Sequence, residues 1–93
     1  MATVNLSWSA PSSGGAPEKY FLYKVAQATS AGGSAPTKAD LKTQAGSYIE
    51  INASSTTYAD TDTASTNTYY YTIAGWNSGG EGELSNVATA IIP

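Results

Sequence analysis

Two pairs of acidic residues are the positions in this chain whose type and spacing come nearest to known chemistry. Asp60 and Asp62 alternate along the chain as the oxygen ligands of a calcium-binding loop do. The remaining loop positions do not fit: Ala64 is fifth, Ser65 is sixth where glycine is required, and Tyr71 is twelfth where a bidentate glutamate belongs. We therefore expect both aspartates to bond their own backbone in a turn, without a metal ion.

Glu81 and Glu83 form the second acidic pair, in a glycine-rich loop. Two carboxylates facing each other across a cleft hydrolyse glycosidic bonds when burial raises the pKa of one of them. Carboxylates on a glycine-rich tip are expected to be solvated instead. This pair therefore predicts no catalytic site.

The composition excludes most other catalytic and metal-binding sites. The chain has no His and no Cys, and its four basic residues are all Lys. No imidazole base, thiolate nucleophile or ordinary zinc site is available, so we expect no enzyme activity and no cofactor. The net charge is −3, and the lysines are too scattered to neutralise a row of phosphates, so nucleic acid is not an expected partner. These lysines are Lys19, Lys24, Lys38 and Lys42.

Membrane insertion and secretion signals are also not expected. No stretch reaches the 18 apolar residues typical of a membrane-spanning helix. The first residues lack the charged and apolar regions of a signal peptide. Membrane is therefore not an expected partner.

The elements that would position side chains are short strands. Val4, Leu6 and Trp8 alternate with polar residues, which predicts a strand with one buried face. Aromatic and β-branched residues at 20–25 and 69–76 predict two strands with apolar residues on both faces. Further strands are predicted at 47–51, 56–59 and 87–92, with turns at 11–15 and 77–80. Residues 26–45 show no sustained period and predict a long loop, with room for one helical turn at 37–41.

These segments resemble, in order and spacing, the strands of bacterial fibronectin type III domains. The matching segments are Leu6-Ser7-Trp8-Ser9-Ala10-Pro11, Tyr20-Phe21-Leu22-Tyr23-Lys24, Thr57-Tyr58-Ala59-Asp60-Thr61, Tyr69-Tyr70-Tyr71-Thr72-Ile73, Asn77-Ser78-Gly79-Gly80-Glu81-Gly82 and Ser85-Asn86-Val87-Ala88-Thr89-Ala90. The resemblance implies one domain over residues 1–93. It would be an all-β, immunoglobulin-like, two-sheet antiparallel sandwich of about six strands. It also implies a core of Trp8, Tyr20, Leu22, Tyr71 and Ile73, with the hydroxyl of Tyr69 bonded to nearby backbone.

The resemblance has two departures. Only three residues precede Val4, too few for the family's first strand. The strand from Val4 should then lie at a sheet edge that has no charge or proline to protect it. A strand from another subunit is expected to pair there, at Val4, Asn5, Leu6 and Ser7, unless the C-terminal end of the chain folds across. The chain also lacks an Arg-Gly-Asp tripeptide, so integrin binding does not carry over.

A second candidate surface lies on the face opposite the core. Alternation directs Phe21 and Tyr23 outward on one strand and Tyr70 and Trp76 on the other. Four clustered aromatic residues are typical of a protein contact or a platform on which sugars stack. The alternative is that they only stabilise the sheet or are covered by the 26–45 loop. By the same alternation of inward and outward side chains, Trp8 should be a core residue and Trp76 should not.

Two functions remain as hypotheses. The chain, expected to be complete, is either a non-catalytic subunit decorating a larger assembly such as a phage capsid or tail, or a spacer or carbohydrate-binding module of a secreted polysaccharide-degrading enzyme. The partners would be protein subunits in the first case and glycans in the second. The expected location is a virion surface or the extracellular space.

Overall fold

Strands are the main regular elements of the described chain. The structure is a computed structural model that describes residues 2–9 and 16–93. It contains strands β1 (Val4–Ser7), β2 (Lys19–Ala28), β3 (Ile49–Asn52), β4 (Thr57–Asp60), β5 (Asn67–Asn77), β6 (Gly80–Glu81) and β7 (Ala88–Ile91), a 3₁₀ turn (Thr29–Ala31) and one helix, α1 (Lys38–Ala45). The turn predicted at 11–15 and the Ala10-Pro11 motif lie outside the described residues.

The strands form two antiparallel sheets. A small sheet pairs β1 with β4, and a large sheet has the order β3-β2-β5, with β6 and β7 both paired to β5. Six strand predictions are confirmed, and the seventh strand, β6, is the short return of the hairpin predicted at 77–80. The chain is thus mostly β, with two packed antiparallel sheets and one short helix.

The main core lies between the two sheets. The expected residues Tyr20, Leu22, Tyr69, Tyr71 and Ile73 are all buried there. Trp8 packs against this cluster but is only half-buried. The backbone N–H of Ala64 donates a hydrogen bond to the hydroxyl of Tyr69 at 2.7 Å, the contact expected of this tyrosine.

Helix α1 corrects the prediction of a long loop at 26–45. Thr37 caps its N-terminus by accepting a hydrogen bond from the N–H of Asp40 at 3.2 Å, and Gly46 ends it with φ of 70°. Leu41 is the helix's buried residue, 0 % exposed. A helix that buries a single side chain has no apolar stripe, which is why the sequence shows no helical period.

The C-terminal end of the chain lies on the large sheet. Strand β7 pairs with β5, and the N–H of Ile92 donates to the carbonyl of Asn67 at 2.9 Å. Ile92 itself is buried in the core between the sheets. The chain's own C-terminal end is therefore not the cover of β1, which removes the internal alternative. Among the described residues, no helix has the length and apolar character needed to cross a membrane.

Candidate functional site

The aromatic surface predicted on the outer face of the large sheet is not open. Phe21, Tyr23 and Tyr70 are 8 %, 5 % and 5 % exposed, and they form a second core with Leu41 beneath α1. Trp76 packs at the side of this cluster and is half-buried. The prediction that the side chains point away from the main core is correct, but the prediction that they are exposed is wrong. The alternative, cover by the 26–45 segment, is what the structure shows.

Polar contacts fasten α1 over this second core. The hydroxyl of Tyr23 donates to the carboxylate of Glu81, which also pairs with Lys42 on α1. Burial and this hydrogen bond raise the pKa of Tyr23 far above its ordinary value. Lys38 pairs with Glu83 at 3.3 Å. The two glutamates of the glycine-rich loop thus each bind a helix lysine, and Glu81 is not the fully solvated residue that was expected.

A smaller aromatic surface remains at the end of the sheet beyond α1. Tyr48 is 50 % exposed and stacks on Phe21, with ring centroids 4.0 Å apart. The ammonium group of Lys19 lies 4.5 Å from the centre of the Trp76 ring and pairs with Glu50 at 2.9 Å. One face of Trp76 is therefore occupied by a cation of this chain, which leaves Tyr48 as the exposed ring of the group.

Asp60 forms a buried link between the two sheets. Its Oδ2 accepts hydrogen bonds from Lys24 Nζ at 2.8 Å and from the Tyr71 hydroxyl at 2.6 Å. Its Oδ1 accepts from the N–H of Asp62 at 3.0 Å, the turn contact expected from the sequence. No group of acidic side chains in the described part of the chain could hold a metal ion.

These contacts set the charge states of the Asp60 carboxyl and the Tyr71 phenol. Burial opposes ionisation of Asp60, but the hydrogen bonds from Lys24, Tyr71 and the Asp62 backbone outweigh it and lower its pKa. Burial and the bond to Asp60 raise the pKa of Tyr71 well above its ordinary value. The link therefore holds an ionised carboxylate and a neutral phenol.

The edge of β1 is the second predicted surface, and it is open along the described chain. The N–H of Trp8 donates to the carbonyl of Thr56 at 3.0 Å, which continues the β1–β4 register. Backbone groups in an antiparallel pair alternate in direction, so those of Leu6 point toward β4 and those of Asn5 and Ser7 point away. No described strand pairs with this outer edge. The expectation that Val4 to Ser7 form an edge strand is confirmed, while a partner there stays a prediction.

A cleft opens beside this edge, between the two sheets. It has a volume of about 250 Å³ and is lined by Leu6 of β1 and the following Trp8, by Leu22 of β2, by Tyr71 and Ile73 of β5, and by Ala88 of β7. A second cavity of about 250 Å³ shares Trp8, Ile73 and Ser85 with it. The apolar lining belongs to the main core, so the cleft reaches the edge of that core between the two sheets.

One polar atom in the cleft wall is unsatisfied. The indole Nε1 of Trp8 is buried and has no hydrogen-bond partner among the described residues. A buried donor without an acceptor costs about 1–3 kcal/mol. The edge, the cleft and this N–H lie together on one side of the sandwich, which we call the open side.

Sequence reasoning missed three residues at these surfaces. Leu41 carried no periodic signal, and Tyr48 meets Phe21 only because β3 pairs with β2 in the observed register. Lys24 was detectable, since it occupies an inward position of β2, and an inward lysine requires a buried acid. No protein-family model matches the chain, and no curated protein matches it.

Proposed function

We propose that this chain is a fibronectin type III-like sandwich that works as a non-catalytic subunit of a larger protein assembly. The observation that carries the proposal is the open side, where an edge strand that no described strand pairs with borders an apolar cleft between the sheets. Natural edge strands are normally protected by charge, proline or a covering segment, and residues 2–9 contain neither charge nor proline. The protein partner contacts Val4 to Ser7 and adds main-chain hydrogen bonds there.

Other features support the sandwich assignment. The large sheet has the order β3-β2-β5-β7 along its paired strands and faces β1-β4, and the Tyr69 hydroxyl contacts backbone near the start of β5. The absence of His and Cys supports a non-catalytic role. A capsid or tail decoration protein on a virion surface is the assembly type we propose.

The experiment compares the protein purified alone with the protein in the assembly isolated from its source. We expect hydrogen exchange at residues 2–9 to be slow only in the assembly. Equal protection in both samples, or a protein that is monomeric in its source, would contradict the proposal.

A carbohydrate-binding module is the second candidate, and exposed Tyr48 is the observation that favours it. Aromatic rings that carry a polar tip are common where a surface meets a polar ligand. Binding of soluble glycans that is lost in both Tyr48→Ala and Trp76→Ala, and kept in Ile91→Ala, would support this candidate. Ile91 is a suitable control because it is exposed on β7.

A further inference from the structure

We propose that the open side accepts a single extended strand from a flexible tail of another protein, with a bulky apolar side chain opposite Leu6. This inference rests on the proposed function and names the kind of partner. The first step is the backbone: Asn5 and Ser7 direct their N–H and C=O groups away from β4, and only an extended main chain can satisfy alternate residues in this way. The occupant therefore adds to the small sheet as a third strand.

The second step is the cleft beneath that strand. An added strand directs alternate side chains inward, beside Leu6 and Trp8. The cleft volume of about 250 Å³ exceeds the roughly 150 Å³ of an apolar cavity that binds benzene. It has room for a Phe or Leu side chain, which would pack against the lining residues Tyr71 and Ile73.

The third step separates a flexible tail from a folded edge strand. The inward side chains of β1, Val4, Leu6 and Trp8, already pack against this chain's own core. A second copy that paired through its β1 would have no free apolar side chain to give to the cleft. A tail without a core of its own can place its side chain there, beside the Trp8 ring.

The chemistry of the edge further defines the tail. Thr3 to Ser9 carry no charge, whereas β4 on the other side of the sheet contains Asp60 and is followed by Asp62. A strand on β1 therefore needs no charged residues for pairing. The expected tail alternates apolar residues with small polar ones such as Thr and Ser.

The test joins a donor strand to the protein itself, which gives an effective concentration in the millimolar range. The strand Thr-Val-Thr-Phe-Thr-Val-Thr is connected through Asn-Gly, in place of Met1 and Ala2, directly to Thr3. A two-residue hairpin turn makes its flanking residues a hydrogen-bonded pair, which matches the outward groups of Asn5 and Ser7 and places Phe opposite Leu6. The matched control carries Gly in place of that Phe.

We expect exchange of the Asn5 and Ser7 amides to slow by about a hundredfold in the extended protein, and the Trp8 indole N–H resonance to shift. The Gly control should slow exchange less, and Ser7→Pro should abolish the effect because it removes an outward N–H. Thr57→Pro, on the free edge of β4, is the matched proline control and should leave docking intact.

Unchanged exchange at Asn5 and Ser7 in the extended protein would overturn the proposal, as would equal effects of Phe and Gly. A concentration-dependent dimer of the unextended protein that Ser7→Pro dissociates would show that a second copy is the occupant and would also overturn it. If the strand docks but the protein is monomeric in its source, the proposed function fails and the acceptor site stands. If the assembly leaves β1 exposed and protects another surface, the inference fails and the subunit role stands.

Discussion

At the scale of single residues, Asp60 joins the two sheets because it accepts hydrogen bonds from side chains on two neighbouring strands, β2 and β5. Lys24 and Tyr71 belong to the large sheet and Asp60 to the small one, so each hydrogen bond crosses the core. Asp60 is 2 % exposed, and an ion there is stable only while its partners stay in place.

Asp60→Asn should lower the free energy of unfolding by about 3–5 kcal/mol, since it leaves Lys24 without its buried counter-ion. In the native protein the lowered pKa of Asp60 contributes stability above the unfolded value of about 4, and this is lost as pH falls through the folded pKa. Chemical denaturation from pH 7 to pH 2 measures both effects. Asp62→Asn is the control, and a similar acid-dependent loss in Asp60→Asn would refute this account.

Tyr23 and Tyr71 predict a second pH dependence, at alkaline pH. Their pKa values are raised in the folded protein, so their contribution is complete below the unfolded pKa of about 10 and is lost as pH rises beyond it. The free energy of unfolding should therefore fall progressively as pH rises above about 10, and tyrosinate absorbance should report the ionisation. Tyr71→Phe should reduce the slope of stability with pH; an unchanged slope would show that the phenol is not held neutral.

The two tryptophans pack against different cores. Trp8 contacts the core between the sheets, and Trp76 the one beneath α1. Trp8→Ala should cost about 3–5 kcal/mol. Trp76→Ala loses a cation–π contact with Lys19, about 0.5–1 kcal/mol, and some burial, so it should cost less than Trp8→Ala. Equal losses in denaturant titrations would show that the two cores contribute alike.

At the scale of elements, α1 turns an exposed sheet face into a second core. The helix is too short and too polar to be stable alone, and it is held by Leu41 and by ion pairs from Lys38 and Lys42. The aromatic residues beneath it depend on this cover.

Leu41→Ala should therefore lower the free energy of unfolding by about 2–5 kcal/mol, because it leaves a cavity above Phe21, Tyr23 and Tyr70. It should also increase binding of the dye ANS, as the aromatic face becomes accessible. Ala39→Gln, at an exposed position of the same helix, should do neither. Dye binding that stays at the wild-type level would mean that Leu41 does not hold the helix in place.

At the scale of the whole molecule, the small sheet has two strands and therefore two edges. Among the described residues β1 and β4 are each other's only strand partner, and the outer edge of β1 borders the cleft. A molecule built this way should be well folded and still carry an edge strand that can pair with another chain.

Hydrogen exchange of the isolated protein should show this directly. The amides of Leu6 and Trp8 point to β4 and should be protected, whereas those of Asn5 and Ser7 point outward and should exchange quickly. The alternation is measurable residue by residue by NMR. Uniform protection along β1 in a monomer would mean that another part of the chain covers the edge.

The sequence by itself determined the strands and the separation of their side chains onto two faces, because both follow from the two-residue period of a strand. On β2 and β5 both faces are apolar, so the assignment of Tyr20, Leu22, Tyr71 and Ile73 to the inward face came from the family resemblance and not from the period. Only the tertiary structure decided what covers Phe21, Tyr23 and Tyr70. A single buried Leu41 leaves no periodic trace, and the ion pairs of α1 join residues about forty positions apart, so neither is encoded locally. The cleft likewise exists only where two sheets meet, because its lining comes from four strands that are distant in the sequence, β1, β2, β5 and β7.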